Sequence, residues 1–102
     1  VELDQYKELK KSVNIPILAN ITEFGKTPLF DCSELSQSGV DMVLYPLTAF
    51  RAMSKAAQEV FKEIKEADNQ ERLIKNMQTR DELYDVLDYH SFENKLDELF
   101  KN

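Results

Sequence analysis

The sequence predicts an α/β fold, with two short parallel strands followed by a predominantly helical remainder. Three observations carry this. The runs Ile15–Ala19 and Met42–Leu47 are apolar without alternation, the pattern of strands covered on both faces. A capping box and a short helical stretch lie between them. Strand, helix and strand therefore fit in about 33 residues, the length of a right-handed βαβ unit. Beyond Leu47 the chain reads as helix after helix, each with its own cap and apolar periodicity.

The elements follow in order. Val1–Val13 reads as an amphipathic helix, with Leu3, Tyr6, Leu9 and Val13 on one face and Asp4 as its N-cap. Asn14 and Pro16 end it. The first strand spans Ile15–Ile21 and runs out into polar Asn20, Thr22 and Glu23. Gly25, in the loop to Phe30, suits a close backbone approach or a positive φ. Asp31-Cys32-Ser33-Glu34 is a capping box opening a helix that ends near Gly39. Met42–Leu47 is the second strand, and Thr48 caps a long helix, Thr48–Ala67. Phe50, Met53, Ala57, Val60, Phe61, Ile64 and Ala67 give that helix a broad apolar stripe in need of a docking surface. A short helix follows, opening over Asp68–Glu71 and ending near Met77. Thr79-Arg80-Asp81-Glu82 boxes a second through about Leu87, and Ser91 caps a third bearing Phe92, Leu96, Leu99 and Phe100.

Composition narrows the function. The 102 residues make about one small domain, 42% apolar and 31% charged, enough for a modest core only. The net charge is −6, with Lys and Arg interleaved among Asp and Glu, which argues against a nucleic-acid groove. No apolar run approaches the ~20 residues that span a bilayer, so no membrane role is expected. One cysteine, Cys32, leaves no internal disulfide, and a reducing, cytoplasmic location is the default expectation. Two strands alone cannot make a stable parallel sheet, since both faces and an edge need partners. The chain therefore reads as part of a larger protein, consistent with its first residue being Val1.

Several side chains could bind a ligand. Parallel strands bind ligands at their carboxyl ends, where Asn20 and Thr22 offer neutral hydrogen-bonding groups. Their other reading is local capping of the loop. Arg51, one turn into the long helix, suits a bidentate carboxylate or phosphate, or else a salt bridge to a nearby acid. Arg80 sits in a helix first turn, where a positive charge opposes the dipole, unless an adjacent acid pairs with it. Glu23 could orient a ligand group or pair with Lys26, and His90 and Cys32 read as ordinary residues. Among motifs, no Gly-rich phosphate loop, zinc pattern or Ser-His-Asp pattern is present.

PILANITEFGKTPLF, then MVLYPLTAFRAM, then MQTRDELY, with KLDELF near the end, resemble the methylisocitrate lyase family in the right order and nearly end to end. That family belongs to the isocitrate lyase and phosphoenolpyruvate mutase superfamily. The resemblance implies a C-terminal portion of a (β/α)8 TIM barrel, carrying its seventh and eighth strands. Residues 1–67 would hold the last βα units and residues 68–102 a C-terminal helical segment. It implies a lyase that cleaves 2-methylisocitrate to pyruvate and succinate, with Mg²⁺ held by acidic residues and a KKCGH-type loop as acid/base. Carried over by position, Asn20, Ile21, Thr22, Arg51 and Arg80 become substrate-binding residues for a small tricarboxylate. No catalytic residue and no metal ligand falls within this chain, and Cys32 does not match the family's cysteine. The superfamily pattern also implies a homo-oligomer, a dimer of dimers with helix 48–67 swapped onto a neighbouring barrel. Two other readings stay open: a phosphonate mutase or oxaloacetate hydrolase-like relative, and a non-catalytic acidic α/β dimerisation module.

Overall fold

The computed structural model describes residues 1–101 and divides into two compact units, Val1–Glu59 and the residues from Val60 onward. The first unit holds α1 (Leu3–Ser12), β1 (Leu18–Asn20), α2 (Cys32–Gln37), β2 (Met42–Leu44) and the start of α3 (Thr48–Ala67). The second holds the rest of α3, a 3-10 helix (Glu71–Asn76), α4 (Arg80–Leu87) and α5 (Tyr89–Phe100).

Strands β1 and β2 pair in parallel, with Leu18 opposite Met42, Ala19 opposite Val43 and Asn20 opposite Leu44. The expected strands were longer, Ile15–Ile21 and Met42–Leu47. Their ends still bond across the pair: the Ile17 carbonyl accepts from the N–H groups of Asp41 and Met42, and the Ile21 N–H donates to Leu44 at 2.9 Å. Pro16 lacks the N–H that would extend the ladder.

Within this chain one face of the sheet is covered and the other is bare. Ile17, Ala19 and Ile21 are buried on one face with Leu35 and Val40, and Leu3, Tyr6, Val13, Phe30 and Val43 pack around them. Leu18, Met42 and Leu44 lie exposed on the other. Burial therefore alternates along strands whose sequence does not, because α1 and α2 supply a single layer.

The amino ends of the strands are fastened by Asp41. Its carboxylate accepts from the Ile17 N–H and from Lys10 Nζ, each at 2.8 Å. These two donors, Lys10 foremost, hold the Asp41 carboxyl below its ordinary value. Gly39, at the end of α2, has a φ of 87°, and a Cβ there would come within 2.8 Å of Lys10 Cγ. Only glycine meets both demands.

Helix starts follow the sequence with small shifts. The Asp31 and Thr79 boxes form as expected, since each cap side chain accepts from the N–H three residues on. At α1, Asp4 lies inside the first turn, paired with Lys7, and Glu2 precedes the helix. The stretch before Met77 winds as a 3-10 helix. Helix α5 begins at Tyr89 rather than Ser91, because Asp88 takes a left-handed conformation (φ 51°) between α4 and α5. Within the second unit, Tyr84 stacks on Tyr89 with ring centres 4.2 Å apart, and Arg72 pairs with Glu63 at 2.6 Å.

Two substitutions test this core. Leu35 is the one fully buried large side chain among the described residues. Leu35→Ala should cost ~2–5 kcal/mol, comparable to everything a core of this size supplies. Circular dichroism should show loss of cooperative thermal unfolding, while Val86→Ala on the exposed face of α4 leaves the transition in place. Gly39→Ala should lower the unfolding free energy in urea by ~1 kcal/mol or more, from φ strain and the Lys10 clash together.

Candidate functional site

Parallel pairing places the residues after β1 and those after β2 at the same end of the sheet. There the loop Thr22–Phe24 meets the first turn of α3. Arg51 Nη1 donates to the main-chain carbonyl of Glu23 at 2.9 Å and to its Oε2 at 3.1 Å. The Thr48 hydroxyl donates to Glu23 Oε1. The Phe24 ring lies under the guanidinium, 5.3 Å from Cζ to its centre, at cation–π distance.

Glu23 is 25% exposed and Arg51 40% exposed, so water screens the pair only in part. The Thr48 hydroxyl, then the residue's own N–H, then Arg51 favour the ionised carboxylate against desolvation. Together they hold the Glu23 carboxyl below its ordinary value. Among the described residues, the guanidinium's hydrogen bonds leave from Nη1 alone. Nε and Nη2 make none, and those two donors form the edge that takes a carboxylate bidentately.

The backbone here departs from expectation. Positive φ falls on Phe24 (63°), and Gly25 is not among the residues with positive φ. A Cβ at Gly25 would sit 3.5 Å from the Thr22 carbonyl and hydroxyl, an ordinary contact. An aromatic residue in the left-handed region is strained. The strained residue is the one whose ring underlies Arg51.

The predicted site residues divide. Asn20 ends β1 on the bare face, and its side chain makes no hydrogen bond to the described residues. Ile21 is buried in the core, so its side chain is committed to packing. Thr22 is half-buried beside the Glu23 loop. Arg51 joins this group, and its salt-bridge partner is Glu23, which takes Arg51 and Thr48 rather than Lys26. Arg80 is the first residue of α4, exposed, in the second unit, with no ion pair to a described residue. His90 pairs with Glu93 at 3.3 Å. Cys32 Sγ lies 3.2 Å from the Tyr45 hydroxyl, a contact that pushes the Tyr45 phenol up.

Sequence reasoning missed two members. Thr48 reads as a cap, but its hydroxyl goes to Glu23. Phe24 reads as an ordinary loop residue. Its neighbours Glu23 and Gly25 mark a turn, yet no sequence signal assigns positive φ to an aromatic. No group of three or more His, Cys, Asp or Glu among the described residues comes together to hold a metal ion. No helix among them is long and apolar enough to cross a membrane.

The charge state of Glu23 yields a prediction. A depressed carboxyl value adds stability that is present above the ordinary value near 4.5 and is lost as pH falls through the folded value. An NMR titration should place the Glu23 carboxyl midpoint below 4.5. Thr48→Val should move it up, because the hydroxyl is the foremost cause of the depression.

Comparison with known proteins adds to this geometry. No family model matches the chain. The chain is similar to the "2-methylisocitrate lyase" of Vibrio cholerae, 53% identical over 97% of this chain and 34% of that protein. It is likewise similar to those of Shewanella oneidensis (54%, 97% of this chain, 34% of that protein) and Escherichia coli (50%, 97% and 33%). The chain thus spans about a third of the length of the curated relatives it matches. Among solved structures, it superposes on 2,3-dimethylmalate lyase, a PEP mutase/isocitrate lyase superfamily member. The TM-score is 0.72 over 92% of this chain and 32% of that one, at 23% identity, a likeness of fold alone.

Proposed function

We infer that the chain, which belongs with the 2-methylisocitrate lyases along the third of their length that it spans, holds substrate in a carbon–carbon lyase. The whole protein would cleave 2-methylisocitrate to pyruvate and succinate. Identity of 50–54% along 97% of the chain carries this reading. The held guanidinium of Arg51, at the strand end where parallel folds bind ligands, supports it.

The fold proposed for the whole protein is a (β/α)8 barrel with β1 and β2 as its last two strands. Residues 1–67 would complete its βα units, and residues 68–102 would form a helical segment after them. The bare apolar face of Leu18, Met42 and Leu44 supports this, because a barrel interior would cover it. The apolar stripe of α3 is also exposed, with Met53 at 68% and Phe61 at 71%. That exposure supports a homo-oligomer, a dimer of dimers in which helix 48–67 docks on a neighbouring subunit.

The reaction breaks the bond between the carbinol carbon and its carboxylate-bearing neighbour. The hydroxyl proton departs as pyruvate's carbonyl forms, and the released electron pair takes up a proton to give succinate. Substrate and products are polyanions, so the segment's contribution is to hold carboxylates. Arg51 would grip one through its free edge, and Arg80 would complete the carboxylate contacts. Asn20, Thr22 and the main chain at Ile21 would position neighbouring oxygens. The Mg²⁺ that the family resemblance implies does not fit these residues, which bring no ligand set together. Its ligands and the acid/base groups are proposed to lie outside this chain.

Turnover tests the reading. The whole protein should release pyruvate from 2-methylisocitrate, and the 102-residue chain by itself should release none. Arg51→Ala in the whole protein should lower kcat/KM by about ten- to a hundredfold, the loss of one charge-assisted pair. A value within about threefold of the parent would contradict the role of Arg51. Sedimentation of the isolated chain should show an oligomer. A monomer would count against the docked helix.

A further inference from the structure

We propose that Glu23 is a positioning residue for Arg51. It seats the guanidinium by Nη1 so that Nε and Nη2 face the substrate carboxylate as a fixed fork. The proposal rests on the reading of Arg51 as a carboxylate-binding group, and it names the device that gives that group its orientation.

Three contacts make the seat. The Glu23 carbonyl and Oε2 both accept from Nη1, at 2.9 and 3.1 Å, and the centre of the Phe24 ring lies 5.3 Å from Cζ, at cation–π distance. An arginine on a free stem samples many rotamers, and fixing it in advance removes that cost from binding. The seat is itself anchored, since Glu23 Oε1 accepts from Thr48 in the first turn of the same helix that carries Arg51. One carboxylate thus ties two α3 residues, three positions apart, to the loop after β1. The strained φ of Phe24 fits the same purpose, because that residue supplies the ring beneath the guanidinium and follows the carbonyl that takes Nη1.

A carboxylate beside a site for a polyanion ordinarily repels it. Here both Glu23 oxygens are engaged, one by a hydroxyl and one by a guanidinium. The charge is committed to the seat, and Glu23 acts through Arg51 rather than on the substrate.

Kinetics and chemical rescue of the whole protein test this. Glu23→Gln keeps the shape and removes the charge, and kcat/KM should fall about tenfold, one charge-assisted contact being lost. In an Arg51→Ala background the same change should add nothing, because its effect runs through the missing side chain. Methylguanidinium should partly restore activity to Arg51→Ala by filling the seat, and fail to do so in the double variant. Glu23→Asp, which keeps the charge one methylene short, should fall between parent and Glu23→Gln and gives a second reading should Glu23→Gln misfold. Additive losses, absence of rescue, or rescue indifferent to Glu23 would each overturn the proposal while leaving Arg51's own role standing. An Arg51→Ala variant with parental kcat/KM would overturn that role, and the proposal with it.

Discussion

The parallel pairing of β1 with β2 is the constraint on which the rest depends. Parallel strands cannot be joined by a tight turn, so the chain must cross over, and α2 makes that crossing. The crossing brings like ends together. At the amino ends, Asp41 fastens β2 to the Ile17 N–H and to Lys10 of α1. At the carboxyl ends, Glu23 fastens the loop after β1 to Thr48 and Arg51 of α3. Two carboxylates clasp a three-residue ladder from both sides. The second clasp is also the one that presents an open guanidinium edge.

The same pairing explains what the segment leaves uncovered. One helical layer buries Ile17, Ala19 and Ile21, while Leu18, Met42 and Leu44 stay bare. The apolar stripe of α3 is bare as well. A core centred on Leu35 supports little more than the βαβ unit itself. A chain that matches about a third of its relatives' length is expected to look this way. Its polar positions are complete around Arg51, and its apolar positions call for a further layer.

Much of this was legible in the sequence, for identifiable reasons. Caps are local, so the boxes at Asp31 and Thr79 set the starts of α2 and α4, and the span of α3 follows from its apolar period. Strand length was less legible, because a ladder ends where its partner does, whatever the apolar run. The continuous apolar pattern of β1 reads as cover on both faces, of which this chain supplies one. That Arg51 would pair with an acid was legible from its apolar setting and helix position. Its partner was not, because Glu23 lies 28 positions away in sequence and only the crossover joins them. The left-handed conformation of Phe24 has no signature, since it runs against the residue's own preference. Arg80 lies exposed at the start of α4, with no ion pair to a described residue.

The central claim is that Arg51 is held by Glu23 in order to hold a substrate carboxylate. A crystal structure of the whole protein with pyruvate and succinate bound tests it most directly. The account predicts a ligand carboxylate on Nε and Nη2 at about 2.7–2.9 Å, with Nη1 still on Glu23 and with Asn20 and Thr22 within reach of the same ligand. A bound ligand that leaves the Nε–Nη2 edge of Arg51 empty, or an Arg51 released from Glu23 in the occupied site, would contradict it.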